Sequence, residues 1–248
     1  MIKKNIPNLL TSLNLICGCL AACLAFNNLF EAAFCMVLLG AFFDLFDGFF
    51  ARLLKAESSF GLQYDSMADL ITSGVVPGIV LYQLFLTAGF REISFSFTLF
   101  NAEFLFSFIP LALFSFLIPM GAAIRLSNFN LDTEQKFDFK GLPAPANALF
   151  IVSLPLLFLH PNFSYLKPYF FSPTGLPLIC ILSFVIMNVN VRLFSFKIYR
   201  FSFAEYCYQV FVLLFGIPLF ILFQWASIPL IILVYLILNL IKNVISKV

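Results

Sequence analysis

Four carboxylates dominate the chemistry this sequence can perform. Asp44, Asp47, Asp65 and Asp69 fall within 26 residues of otherwise apolar sequence, in a chain with only 12 acidic residues. An aspartate at the centre of a membrane helix costs about 3 kcal/mol on insertion scales, so it usually marks function. Four together repel one another, and cations between them are the simplest remedy. At about 100° per helical residue, with Asp44 set at 0°, Asp47 falls near 300°, Gly48 near 40°, Ala51 near 340° and Arg52 near 80°. All five share an arc of about 140°, while Phe42, Phe46, Phe49 and Phe50 lie opposite it. Asp65 and Asp69 are four apart and share a face of the next helix. Two antiparallel helices can therefore aim four carboxylates at one point. An all-oxygen donor set suits Mg²⁺ or Mn²⁺ rather than zinc. Two such ions can bind a pyrophosphate and stabilise attacking and leaving oxygens. Gly48 and Gly61 would let a nucleotide approach the backbone, and Arg52 can meet a phosphate as a fork. The competing reading is a set of buried carboxylates serving an ion or proton pathway.

The elements that must position these residues are membrane helices. Hydrophobic residues make up 62% of the 248, charged residues 10%, and Phe occurs 36 times. Soluble domains are about 45–50% apolar and about 25% charged, so a bilayer is the expected solvent. The net charge of +2 gives no footprint for nucleic acid. A span needs about 20 mostly apolar residues. Eight candidates appear, at about 9–27, 30–54, 65–90, 104–127, 143–160, 172–191, 206–224 and 227–245. They predict an all-α, polytopic helix bundle forming a single integral membrane domain over 1–248. Eight spans put both termini on one side with Arg52, Lys55, Arg125, Lys136, Lys140, Arg192, Lys197 and Arg200. Lys3, Lys4, Lys242 and Lys247 join them, twelve of the fourteen basic residues; Arg91 and Lys167 fall on the other side. The positive-inside rule then makes the termini and the carboxylate site cytoplasmic. Asn8, Thr11 and Asn14 interrupt the first apolar run and no A-x-A follows it, so an uncleaved first span is expected. The second span is expected to run on past the bilayer as an amphipathic segment. Residues 125–142 read as the longest loop, a connector or a lid. The six Cys form no C-x-x-C and read as small apolar residues. His160, the only histidine, reads as a loop residue.

Residues 44–69 match, at all eight fixed positions, the signature D-x2-D-G-x2-A-R-x8-G-x3-D-x3-D. On that motif the chain resembles the CDP-alcohol phosphatidyltransferase family. The resemblance implies that Asp44, Asp47, Asp65 and Asp69 hold two divalent cations, Mg²⁺ or Mn²⁺, and that Asp69 is also the general base. It implies that Gly48, Arg52 and Ser58, with Asn8, Thr11 and Gly61, contact the CDP-lipid. It implies six core helices over about 5–190, two additional C-terminal helices over about 206–245, an inner-membrane location and a homodimer.

Two further segments resemble the bacterial branch of that family whose acceptor is serine. They are N-I-P-N-L-L-T-S-L-N-L-I-C-G, residues 5–18, and A-A-I-R-L-S-N-F-N through F-K-G-L-P-A-P-A-N, residues 122–147. The branch implies transfer of a phosphatidyl group from CDP-diacylglycerol to L-serine, giving phosphatidylserine and CMP. Where it often has A-R-L-A-R-F-N, this chain keeps Arg125 and has Asn128 at the second Arg. Arg125 is the candidate cation for the serine carboxylate; its alternative role is to anchor its helix. G-L-P-A-P reads as a rigid turn opening the fifth span. The alternatives to serine are glycerol 3-phosphate, an inositol phosphate or choline; outside this class stands an ion transporter.

Overall fold

The computed structural model describes residues 2–100, 102–131, 139–189, 192–193 and 203–245, with the backbone alone at 2–4, 139–140, 192–193, 203–210 and 242–245. Lys136, Lys197, Arg200 and Lys247 lie outside the described residues, as does the middle of the expected 125–142 loop. The elements in chain order are helices α1 (Ile2–Phe26), α2 (Phe30–Leu53) and α3 (Ser59–Asp69), a π-helical segment Leu70–Val75, and α4 (Val76–Thr87). Strands β1 (Ile93–Leu99) and β2 (Ala102–Phe108) follow, then a 3-10 segment Pro110–Phe116 leading into α5 (Leu117–Leu131). Strand β3 (Phe139–Lys140) precedes α6 (Ala144–Leu159), α7 (Lys167–Phe170), α8 (Gly175–Asn188), β4 (Arg192–Leu193), α9 (Phe203–Phe223) and α10 (Ile228–Ile245). The expected all-α membrane bundle is the observed class.

Helix α1 shows how the bundle closes without a hydrophobic drive between helices. Its buried residues Thr11, Asn14, Cys17, Ala21 and Ala25 recur at three- and four-residue steps, one stripe of a helix. The stripe is small or polar, the composition that lets membrane helices approach closely. Leu9, Ile16 and Leu20 point outward. A Cβ added at Gly18 would meet Thr72 Oγ1 at 2.5 Å, so α1 crosses the π segment only because Gly18 has no side chain. The span Ser59–Thr87 is the central one: 61% of its apolar window is buried, against 33% and 28% for α1 and α2.

Five helical stretches among the described residues are long and apolar enough to cross a bilayer, six when α6 and the bent segment after it count as one. One of the five, Phe211–Ile241, folds back on itself. A Cβ at Gly216 would lie 3.6 Å from Ile231, whereas fifteen residues of straight helix separate two positions by about 22 Å. The reversal falls at Gln224, whose φ is +50°. Helices α9 and α10 are therefore an antiparallel pair, as the last two expected spans required. The fifth and sixth expected spans are shorter: α6 has 16 residues and α8 has 14.

Two other expectations need correction. The fourth span does not begin at 104, because Ile93–Phe108 forms an antiparallel hairpin with Phe97 opposite Phe104. Alternating Ser and Phe give this segment a period of two, which a helix cannot use. Helix α2 ends at Leu53, one residue from the expected end of the second span, and Lys55 takes φ +50° in the turn that follows. The loop after α5 starts only beyond Leu131, so much of the segment from Arg125 is helix. The turn at G-L-P-A-P is present: Gly141 has φ +75°, and a Cβ there would meet the Met187 carbonyl at 2.5 Å. The cysteines among the described side chains are free.

Candidate active site

The carboxylates converge where α2 ends and α3 begins. Asp47 lies six residues before Leu53 and Asp65 six residues after Ser59, so each sits about 9 Å below its helix end. Asp44 and Asp69 lie a turn deeper. Oxygens of Asp44, Asp47 and Asp65 come within 4.8 Å of one another. Asp47 and Asp69 are buried. The Phe side of α2 faces outward, with Phe42 and Phe49 exposed and Phe42 against Phe46 at 4.6 Å. The helical-wheel reading of α2 therefore describes its real faces.

Two of the carboxylates, Asp47 and Asp69, have hydrogen-bond donors from α1. Thr11 Oγ1 donates to Asp47 Oδ2 at 2.6 Å; its one proton is within reach of the Pro7 carbonyl too, at 3.1 Å, and the charged acceptor is the stronger. Asn14, fully buried, donates from Nδ2 to Asp69 Oδ1 at 3.0 Å. Its Oδ1 accepts from Thr72 Oγ1 at 2.9 Å. Asp65 Oδ1 is buried and has no hydrogen-bond partner among the described residues. A buried carboxylate oxygen without a donor is unstable unless a cation meets it. With three carboxylates in reach of one point, that orphan oxygen shows that the donor set fits a hard divalent ion.

A cleft of about 590 Å³ opens beside this cluster. Asn8, Thr11, Gly48, Arg52, Ser58 and Gly61, the six residues expected to hold the CDP-lipid, all line it, together with Asp47 and Asp65. Each is placed by a local feature. Ser58 is the N-cap of α3, and its Oγ accepts from Gly61 N at 3.0 Å. The free N–H groups of that first turn favour an anion. Arg52 occupies the last turn of α2, where a cation suits the helix dipole. A Cβ at Gly48 would have only the Arg52 guanidinium within 4 Å, so the glycine leaves open space on the cleft floor. Phe129 of α5 closes one side.

Arg125 is not brought to the cleft wall. It donates from a terminal nitrogen to the carbonyl of Met187 at 3.1 Å, at the end of α8, and Asn188 Nδ2 reciprocates to the Gly121 carbonyl at 3.2 Å. These two bonds clasp α5 to α8. Reasoning from motifs missed Asn14 as the partner of Asp69, and Thr72 as the partner of Asn14. The signal was present as a polar pair within the small-residue stripe of α1. The π segment was also missed; the one hydroxyl proton of Thr72 there is within reach of both Asn14 Oδ1 at 2.9 Å and Ala68 O at 3.2 Å, and π turns occur often at functional sites.

The architecture is a membrane bundle with an acidic, cation-fitting centre beside a phosphate-compatible cleft. Comparison with known proteins agrees with that class. The profile of the CDP-alcohol phosphatidyltransferase family matches residues 4–194, and the chain belongs to that family. A CDP-diacylglycerol–serine O-phosphatidyltransferase of Helicobacter pylori (strain ATCC 700392 / 26695) is 31% identical over 153 residues, 61% of this chain and 57% of the relative. The enzyme of the same name from Bacillus subtilis (strain 168) is 33% identical over 150 residues, 60% of this chain and 74% of the relative. An archaetidylserine synthase of Methanothermobacter thermautotrophicus is 33% identical over 153 residues, 61% of this chain and 58% of the relative. The chain thus spans little more than half the length of the first and third of these.

Proposed function

We propose that this protein transfers a phosphatidyl group from CDP-diacylglycerol to the hydroxyl of L-serine, giving phosphatidylserine and CMP. The observation that carries the reading is the convergence of the 44–69 motif: three carboxylates within 4.8 Å of one another, facing a cleft lined by all six residues expected to hold the CDP-lipid. The choice of serine is supported by segments 5–18 and 122–147 and by relatives whose names include serine.

Asp44, Asp47, Asp65 and Asp69 would hold two divalent cations, Mg²⁺ or Mn²⁺, which neutralise pyrophosphate charge and stabilise the departing phosphate. Arg52 and the first turn of α3 bind and orient the CDP group. Asp69 takes the proton from the serine hydroxyl. The serine oxygen then forms a bond to the lipid-side phosphorus while the bond from that phosphorus to the CMP oxygen breaks, and CMP leaves with the electron pair. A carboxylate is a weak base, so placement contributes much of the effect. Asn14, held by Thr72, fixes which oxygen of Asp69 is free for that work. Attack is direct: among the described residues, no Ser, Cys or His of the cleft is hydrogen-bonded to a carboxylate as an activated nucleophile.

We place the site and both termini on the cytoplasmic face, because the described Arg52, Lys55 and Arg125 lie at the site end and Arg91 and Lys167 at the other. The catalytic core is residues 5–190, α9 and α10 are an addition, and the working unit is a homodimer. Release of CMP by the purified chain in vesicles tests the activity. Release that requires both the CDP-lipid and serine supports it. Release with glycerol 3-phosphate, an inositol phosphate or choline in place of serine reassigns the acceptor, and ion flux without CMP release replaces the enzyme with a transporter.

A further inference from the structure

The β1–β2 hairpin has no part in the site and sits at the opposite end of the bundle, between the end of α4 and the start of the α5 span. Its register puts Ile93, Phe95, Phe97 and Leu99 on one face with Ala102, Phe104, Phe106 and Phe108. The rings form a ladder, with Phe95–Phe106 at 5.4 Å and Phe97–Phe104 at 5.5 Å. Ser94, Ser96, Thr98, Glu103 and Ser107 occupy the other face, with Leu105 the exception. Despite its composition, the aromatic face is not covered by the described residues: Phe95, Phe97, Phe104 and Phe106 are 46–53% exposed, and Phe100 at the tip is 95% exposed.

We infer that this face is a lipid-binding surface, lying on the phospholipid leaflet opposite the catalytic cleft. Three features select lipid as the occupant. Both ends of the hairpin join membrane spans within a few residues, after Thr87 and before Pro110, so its base is held at the bilayer boundary. Phe106 and Phe108 also line a cleft of about 680 Å³ with Phe26, Ile79, Tyr82 and Phe116. The aromatic face is therefore continuous with the apolar outer surface of the spans, and the cleft can take an acyl chain. Finally, a two-stranded hairpin leaves both edges unpaired, and unpaired backbone is excluded from the hydrocarbon core. The headgroup boundary satisfies both demands: water for the edges and the Ser/Thr face, hydrocarbon for the rings. A two-stranded hairpin is marginal alone in water, so the lipid also holds its shape. The surface anchors the α4–α5 connection and with it the packing of Gly74 and Gly78 on α5.

The test uses the full chain in phosphatidylcholine–phosphatidylglycerol vesicles. Trp225 is the only tryptophan, and Trp225→Phe keeps an aromatic ring against Phe34. On that background, fluorescence of Phe97→Trp should be quenched severalfold more by lipids brominated on the acyl chain than by aqueous iodide. Ser96→Trp should show the reverse order. Equal quenching of both by iodide, with none by the brominated lipid, would overturn the inference. Shielding of Phe97→Trp from both quenchers, relieved on diluting the protein in lipid, would assign the face to a second copy and overturn it equally. The unmodified chain gives a second measurement if these variants fail to fold. Vesicles containing a phospholipid with a diazirine on its acyl chain should, on illumination, label the peptide 93–108; an unlabelled peptide beside labelled spans contradicts the proposal.

Discussion

At the residue scale, the four aspartates differ in what surrounds them, and so the variants should differ. Asp65 carries an oxygen with no hydrogen-bond partner among the described residues. Asp65→Asn or Asp44→Asn removes charge the cations require, and activity should fall to background at ordinary metal concentrations. Near-normal CMP release from either variant would remove the two-cation account. Asp69 is held instead by Asn14. Asp69→Asn should keep CDP-lipid binding and lose turnover by about 10²–10⁴-fold, the range of general-base effects. Asn14→Ala should lower kcat by about 10–100-fold, as loss of an orienting partner does at metal sites, with a smaller change in donor binding. Equal loss of donor binding and kcat would make Asn14 merely structural. Much of this was legible from spacing, because Asp44 to Asp69 is one local motif on two consecutive helices. The partner of Asp69 was not, since Asn14 is 55 residues away and its bond depends on how α1 crosses α3. Arg125 is a different case: one of its terminal nitrogens donates to Met187 O, outside the residues that line the cleft. Arg125→Ala should raise the KM for serine if it reaches the acceptor; an unchanged KM leaves it as the clasp between α5 and α8.

At the element scale, the convergence of α1, α2 and the π segment rests on missing side chains. Gly18 lies 2.5 Å from Thr72 Oγ1 by its missing Cβ, and Gly40 lies 2.9 Å from Asn14 Oδ1 by the same measure. Gly18→Ala should push α1 off the π segment and break the Thr72–Asn14 bond. The expected outcome is a lower thermal midpoint in detergent, with a loss in the range of about 1–3 kcal/mol for overpacking, together with reduced kcat. A variant as stable and active as the parent would show that the helices have slack there. Span positions were readable because long apolar runs need no tertiary information. The hairpin was not, because Phe104–Phe108 is apolar enough to read as the start of the fourth span, and its strand character comes from pairing with Ile93–Leu99. The shortness of α8 was equally hidden, since the turn Ser172-Pro173-Thr174 before it fell inside the expected span without belonging to the helix.

At the scale of the whole molecule, the central claim is a site open to water at one end of a lipid-embedded bundle. The proposed sidedness rests on charge alone, so it has its own test. Ser58→Cys, on a background without reactive thiols, should react with an impermeant maleimide only from the cytoplasmic side, and reaction only from outside would invert the topology. The most direct measurement is CMP release by the purified chain in vesicles containing CDP-diacylglycerol, with and without L-serine and with and without Mg²⁺ or Mn²⁺, alongside Asp65→Asn. The account predicts stoichiometric phosphatidylserine and CMP only when lipid, serine and divalent cation are all present, silence on adding EDTA, and silence in the variant. CMP released from the donor in the presence of EDTA, or unchanged by Asp65→Asn, would contradict it.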